Sequence, residues 1–486
     1  MRPTLVRWKG FTLPATYKPP RSLVKQLPLK LAFDRWLKSL QPQRLQVIQD
    51  KLVKFMLPPT NPENDGIKRG QAQVDIGNGE WINEINFTIE NTPGAPTKHV
   101  VFVHGYGASL GCFARNFQLI NRFRGRKHNY TVHFLDNITF GLSSNPKVDN
   151  PNLNRWNINR CVDIKLDDPD QPTDTSKLHN KYYKLIKGYS VNPQDFKEYQ
   201  EYFTPIVKDL ETFYTSALDK WRESVGLEKI DYLVGHSYGG YWSASYGVRY
   251  PHRLNNLILL SPVGVERHVH AVTNDTITSG EEMTPSLDPA SYKFLTRLPI
   301  LSAATMDQWY WKAPFLPRVL KLGGPWGYRY YYDMWYKKLA KINKLVAKHG
   351  GAEAVYENHN DLVYGTDKEV SMIIDYLFNS VTKGTNSDIY IKNLLTPAIV
   401  SKWPLMDKYR DFLESNPKDK FNIHFVYGQY DFMNGEAGEK LKDYIANHAN
   451  FDKQTSLSRI SEGGHNLYID NPFHTNRLVA EIVADD

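Results

Sequence analysis

An ester can be split at neutral pH by three side chains acting together: a hydroxyl that attacks, an imidazole that takes its proton, and a carboxylate that orients the imidazole. The sequence holds a candidate for each, in the order Ser237, Asp431, His465. Ser237 lies in Gly235-His-Ser-Tyr-Gly239, a G-x-S-x-G pattern whose small flanking residues permit a tight turn that lifts the hydroxyl off its strand. Asp431 ends Gly428-Gln-Tyr-Asp431, and His465 ends Ser461-Glu-Gly-Gly-His465. A second match, Gly107-Ala-Ser-Leu-Gly111, shows that the pattern alone does not choose a nucleophile.

The elements around each motif make the choice. Such a turn needs a strand ending at the first glycine and a helix starting just past the serine. Ile230 to Val234 reads as that strand, and Tyr241 to Tyr250 reads as the helix. Ser109 lies five residues beyond His104 and reads as part of a Gly-rich loop. That loop follows the strand His99 to Val103 and begins His104-Gly-Tyr-Gly107, the kind of turn that donates one backbone N–H to an oxyanion hole. The expected donors are the amides of Tyr106 and Tyr238, each worth about 3 kcal/mol to a tetrahedral intermediate. Asp431 follows the strand-like Phe421 to Tyr427, and His465 follows Thr455 to Ile460, so both sit where strand ends present side chains. His424 falls inside a strand, His448 falls in a helix-like stretch, and neither Asp443 nor Glu462 reads as a post-strand acid.

Strand-length apolar segments recur at Gln71 to Ile76, Trp81 to Ile89, Thr131 to Leu135 and Leu257 to Leu260 as well, with helix-length patterns at Phe203 to Val225 and after Ser237. Continuous apolar runs alternating with helices predict a mostly parallel, doubly wound α/β sheet. The rhythm stops after Ser261-Pro-Val-Gly264 and resumes at Phe421, which predicts a large inserted cap over the carboxyl edge of the sheet. The expected organisation is a basic N-terminal extension (1–66), core (67–264), cap (265–420) and core again (421–486). Within the extension, Leu45, Ile48, Leu52 and Phe55 predict an amphipathic helix over Arg44 to Leu57, and a Pro-rich linker runs to Gly66.

At 486 residues and 41% hydrophobic content the chain can bury a large core, and collagen-like, disordered and repeat classes are excluded. No apolar run reaches the roughly 18 residues of a membrane-spanning helix. Two cysteines, Cys112 and Cys161, are too few for a disulfide framework and point to a reducing compartment. The net charge of +8 favours an anionic partner. The first 33 residues carry seven Lys or Arg and no acid, which fits either a mitochondrial transit segment or a plain basic tail.

Taken together, His104-Gly-Tyr-Gly107, Phe134-Leu-Asp136 with Gly141-Leu-Ser-Ser144, the Ser237 motif, Gly428-Gln-Tyr-Asp431 and Gly463-Gly-His465 resemble the α/β-hydrolase family. His465-Asn-Leu-Tyr-Ile-Asp470 is an H-x4-D pattern similar to the branch of the fungal mitochondrial cardiolipin-specific deacylase, the lysophosphatidate acyltransferases and a lipid-droplet lipase coactivator. The coactivator lacks the serine that stands here at Ser237. Asp470 has two readings, a member of that motif or a cap for a helix beginning near Asn471-Pro472. The resemblance implies a serine acyl hydrolase releasing fatty acid from a glycerophospholipid, with cardiolipin as the expected substrate. The alternatives are a lysophospholipid acyltransferase using the same acyl-enzyme and a non-catalytic lipid-surface protein. Neither cofactor nor metal is required.

The cap segment bears on the partner. From Trp309 to Lys348 eleven aromatic residues interleave with nine lysines and arginines, and Asp333 is the only acid. Such rings suit a membrane interface and such charges suit anionic headgroups. The other reading packs the rings in the cap's own core and leaves the lysines as a solvated face, with Lys337, Lys341 and Lys344 on one helical side. Nucleic acid would use similar residues but has no use for a serine triad. The basic cap also argues against a peptidase that holds a substrate amine. The expected location is peripheral on the mitochondrial inner membrane, with cytosol or lipid droplet as alternatives.

Overall fold

Side chains alternate across a strand, so a strand apolar at every position must be covered on both faces. The computed structural model describes residues 27–56, 67–153, 162, 164–166, 187–294, 316–342, 355–356, 359–362, 364–396 and 399–484. The basic segment before Leu27, the linker at 57–66, the rings from Trp309 to Phe315, Lys344 and Lys348 lie outside the described residues.

Eight strands form one sheet: β1 Ile67–Gly77, β2 Glu80–Ile89, β3 Thr97–Val103, β4 Asn129–Leu135, β7 Ile230–His236, β8 Leu254–Leu260, β11 Asn422–Gly428 and β12 Thr455–Ile460. Short antiparallel pairs join β5 Ile164–Leu166 to β6 Tyr189–Val191, and β9 Val355–Tyr356 to β10 His359–Leu362. The sheet order is β1-β2-β4-β3-β7-β8-β11-β12. Only the β1–β2 and β2–β4 pairings are antiparallel, and all from β4 to β12 are parallel.

The helices are α1 Leu29–Ser39, α2 Arg44–Met56, α3 Pro193–Ser224, α4 Tyr238–Arg249, α5 Leu316–Leu322, α6 Gly324–Leu339, α7 Asp367–Val381, α8 Ser387–Leu394, α9 Leu405–Glu414, α10 Gly435–Ala446, α11 Leu467–Asp470 and α12 Pro472–Ala484, with a 3₁₀ helix over Leu110–Phe123. Two apolar clusters flank the sheet. Val101, Leu233, Leu257 and Phe425 face α3, α4, α9 and α10, while their neighbours Val100, Val234, Ile258 and Val426 face α2, the 3₁₀ helix and α12. Each of these apolar side chains contributes about 1.5–3 kcal/mol by leaving water. The result is the mostly parallel, doubly wound α/β architecture expected from the sequence.

Several elements differ from expectation. α3 begins ten residues early, at Pro193, where the Asn192 side chain accepts from the N–H groups of Gln194 and Asp195. Pro205 lies inside the helix, and Tyr199, Phe203, Ile206 and Leu210 hold one buried stripe across it. α1 was not anticipated, because it begins inside the acid-free basic stretch. α6 ends at Leu339, so Lys341 lies in a turn and does not extend a helical row from Lys337. The rings of α6 divide: Tyr328, Tyr331, Tyr332 and Tyr336 are buried, whereas Trp326 and Tyr330 are exposed.

Helices α5 to α9 occupy the chain between β8 and β11. α9 packs on α4 and α10 in the layer over the sheet. α1 packs on α6, with the Leu27 N–H donating to Asp333 at 3.1 Å and the Trp36 indole N–H donating to the Lys321 carbonyl at 2.9 Å. Among the described residues no helix is long and apolar enough to cross a membrane.

Candidate active site

β7 delivers Ser237 at its carboxyl end, and α4 leaves immediately after it. The turn between them puts Ser237 at φ 52°, ψ −114°, a left-handed backbone that costs a non-glycine residue strain of order 1–3 kcal/mol. The flanking glycines are required by contact. A Cβ on Gly239 would stand 2.3 Å from the His104 carbonyl oxygen, and one on Gly235 would stand 2.4 Å from the Ser243 hydroxyl.

The strands β11 and β12 pair in parallel, so their carboxyl ends bring the two following loops together. Gly428 ends β11 so close to the second loop that a Cβ there would lie 2.3 Å from the Gly464 carbonyl oxygen. Tyr430 N–H donates to the Gly463 carbonyl at 2.8 Å. In this setting His465 Nε2 lies 2.9 Å from Ser237 Oγ, and His465 Nδ1 lies 3.1 Å from Asp431 Oδ1. Burial opposes the charge of Asp431, but the His465 ring, the Ser261 hydroxyl and the Met433 N–H together hold its carboxyl below the usual carboxylate range. A charged carboxylate only accepts, so Nδ1 carries the ring proton and Nε2 is free to accept from the Ser237 hydroxyl.

The backbone of His465 is gripped on both sides. His236, buried beside Ser237, meets the His465 carbonyl with Nε2 at 2.9 Å. Burial pushes its pKa down to about 3, so the ring is neutral and donates from that nitrogen. On the other flank Asp470 Oδ2 accepts the Gly464 N–H at 3.0 Å. Asp470 therefore does not cap the following helix. Asn471 does that, its side-chain oxygen accepting the His474 N–H at 3.1 Å. Arg115 reaches the same segment, donating to the Ile469 carbonyl at 2.8 Å while its guanidinium pairs with buried Glu369 at 2.6 and 2.9 Å.

The His104-Gly-Tyr-Gly107 loop lies against the serine: a Cβ on Gly105 would be 3.0 Å from Ser237 Cβ. His104 is buried, its Nδ1 bonding the Gly105 carbonyl at 2.8 Å and its Nε2 accepting the Asn137 N–H at 3.1 Å. Tyr238 opens α4, where the first N–H groups have no partner within the helix. Among the described residues, neither the Tyr106 nor the Tyr238 N–H donates a loop or cap hydrogen bond. The Tyr106 hydroxyl donates to Asp388 Oδ1 at 2.7 Å, and the other oxygen of Asp388 pairs with Arg318 of α5.

The sequence reading therefore named Ser237, Asp431, His465 and the Tyr106 and Tyr238 loops, and these come together. It missed His236 and Arg115, and did not foresee that Asp470 would hold the His465 loop. The signal for His236 was a polar side chain directly before Ser237, closing the buried run Tyr232 to Gly235. Ser109 stands apart: its buried hydroxyl donates to Tyr376 at 2.7 Å and meets Ser380 at 2.8 Å.

The fold and this constellation define a class, and the alpha/beta hydrolase fold family matches residues 98–472, so the chain belongs to that family. Among individual proteins it is similar to Protein ECM18 of Saccharomyces cerevisiae, 27% identical over 461 residues, 94% of this chain and 85% of the relative. It is 25% identical to the 1-acylglycerol-3-phosphate O-acyltransferase ICT1 of the same yeast, over 77% of this chain and 79% of that one. A 1-acylglycerol-3-phosphate O-acyltransferase of Arabidopsis thaliana is 23% identical, over 84% of this chain and 75% of its own.

Proposed function

We propose that the chain is a serine acyl hydrolase acting on a glycerophospholipid, with cardiolipin as the preferred substrate, at an anionic membrane surface. The observation that carries this reading is the 2.9 Å approach of His465 Nε2 to Ser237 Oγ with Asp431 behind the ring. Ser237 Oγ attacks the ester carbonyl as His465 takes its proton. The amides of Tyr106 and Tyr238 hold the oxyanion, an effect of about 3 kcal/mol per donor. His465 then protonates the departing lysophospholipid alkoxide, leaving an acyl-serine. Water, deprotonated by the same ring, releases the fatty acid and restores Ser237.

A second reading hands the acyl group to a lysophosphatidate hydroxyl instead of water. The names of the yeast and plant relatives favour it. Both readings share the acyl-serine and differ only in the nucleophile that resolves it. The mitochondrial inner membrane is the location that the cardiolipin reading implies.

The test supplies the purified full chain with acyl-labelled cardiolipin, with and without lysophosphatidate. Labelled free fatty acid in both arms supports hydrolysis, and label moving into phosphatidate supports transfer. If a fluorophosphonate probe labels the wild type no better than Ser237→Ala, both readings fall, leaving a non-catalytic lipid-surface protein.

A further inference from the structure

Large apolar side chains left in water by a folded chain mark a surface that meets something. On α1 and at its C-cap, Phe33, Leu37 and Leu40 recur at spacings of four and three, which sets them along one side, and each is half exposed. On α6, Trp326 and Tyr330 stand four apart and are 64% and 63% exposed. On α5, Leu322 is 85% exposed. The three helices pack on one another, through Trp36 to the Lys321 carbonyl and Leu27 to Asp333, so these side chains belong to one assembly.

We propose that this surface of α1, α5 and α6 docks on a lipid leaflet bearing anionic headgroups. The proposal rests on the lipid substrate assigned above and names the face by which the lipid is reached. Three observations select lipid. First, Trp and Tyr, with an apolar body and a polar edge, are the residues that settle at a membrane–water boundary. Second, the charge is one-sided. Asp34 and Asp333 are the only acids on the three helices, and they are engaged by Lys38 at 2.7 Å and by Arg329 together with the Leu27 N–H. Lys30 and Lys337 remain exposed beside the apolar rows. The 26 residues that join the head of α1 add Arg2, Arg7, Lys9, Lys18, Arg21 and Lys25 and no acid, a composition drawn to anionic headgroups.

Third, the face connects to the site. Arg318 of α5 pairs with Asp388, which accepts the Tyr106 hydroxyl, so two side-chain contacts separate the docking helix from the loop beside Ser237.

The full chain is sedimented with phosphatidylcholine vesicles, with and without cardiolipin, at low and high salt. The wild type is expected to bind the cardiolipin vesicles. Phe33→Gln with Leu37→Gln, and separately Trp326→Gln with Tyr330→Gln, should each weaken binding about tenfold at either salt, because the apolar part of the attraction is not screened. Turnover of a short soluble ester should stay near the wild-type rate. The two double variants sit on different helices, so a folding fault in one leaves the other to decide. Wild-type protein that ignores cardiolipin vesicles, or variants that bind as tightly as wild type, would overturn the proposal. So would a change in oligomeric state of the variants with vesicle binding unchanged, which would make the occupant a second copy of this chain. Absence of short-ester turnover in the wild type would strike the acyl-enzyme reading alone, because sedimentation does not depend on it.

Discussion

Gly235-His-Ser-Tyr-Gly239 and Gly107-Ala-Ser-Leu-Gly111 share one spacing, and their backbones separate them. Ser237 is held at φ 52° between a strand and a helix, whereas Ser109 is extended at φ −158° and caps a 3₁₀ helix. The Ser237 hydroxyl faces the Nε2 of His465, placed to take its proton. The Ser109 hydroxyl is spent on Tyr376 and Ser380 inside the protein. The difference teaches that the pattern carries chemistry only where a strand delivers the first glycine and the helix that follows turns the serine outward. Strain follows the same division, since the left-handed backbone occurs at the serine that faces the histidine.

The hardest test of this contrast removes the proposed nucleophile and its base. Ser237→Ala and His465→Ala should each lower kcat on a short ester by about 10⁴-fold or more, because such residues act as a unit. Thermal melts should remain close to wild type, since Ser237→Ala relieves no buried network. A folded Ser237→Ala protein that keeps most of its activity would end the distinction between the two serines.

A smaller effect is expected from the grip on His465. Asp470→Ala frees the Gly464 N–H and His236→Ala frees the His465 carbonyl, so the imidazole loses its fixed approach to Ser237. A misplacement near 1 Å can cost about 100-fold, so kcat should fall between about 10- and 100-fold with KM little changed. Asp470→Asn keeps an acceptor and His236→Gln keeps a donor, and each should recover most of the loss. Hydrolysis and acyl transfer should fall together, because both use the same ring. Selective loss of transfer in Asp470→Ala would instead give the H-x4-D pattern a chemical role of its own.

Legibility in the sequence followed the range of the interactions. The sheet could be read because each strand carries its signal within seven or so residues, as in His99 to Val103, and the Ser237 turn could be read because its requirements are local. Asp431 and His465 were found from strand ends in the same way. The grip on His465 was not legible, since His236 and His465 are separated by 229 residues of chain and their contact depends on how β7 and β12 are placed in the sheet. Arg115 and Glu369, 254 residues apart, are a further case: nothing near either predicts a buried bidentate pair. The cap resisted for a related reason. Tyr328 is buried against Phe378 and Asp375 while Tyr330, two positions on, is exposed, and the identical ring types gave no periodic contrast from which to separate them.

The mildest effect on activity, and the sharpest check on the comparison, belongs to Ser109→Ala. The hydroxyl of Ser109 is fully buried among Tyr376, Ser380 and the Gly111 N–H that also bonds Tyr376. Removing it leaves buried polar partners with one hydrogen bond fewer, a cost of about 1–3 kcal/mol that a urea or thermal melt will register. Turnover per folded molecule should barely move, because nothing in this cluster touches Ser237 or His465. The two serines would then give opposite signatures: Ser237→Ala losing activity with its melt intact, and Ser109→Ala losing stability with its activity intact. A Ser109→Ala protein that melts like wild type and yet has lost its esterase activity would reverse the assignment, because a buried cap has no route to that result while a nucleophile does.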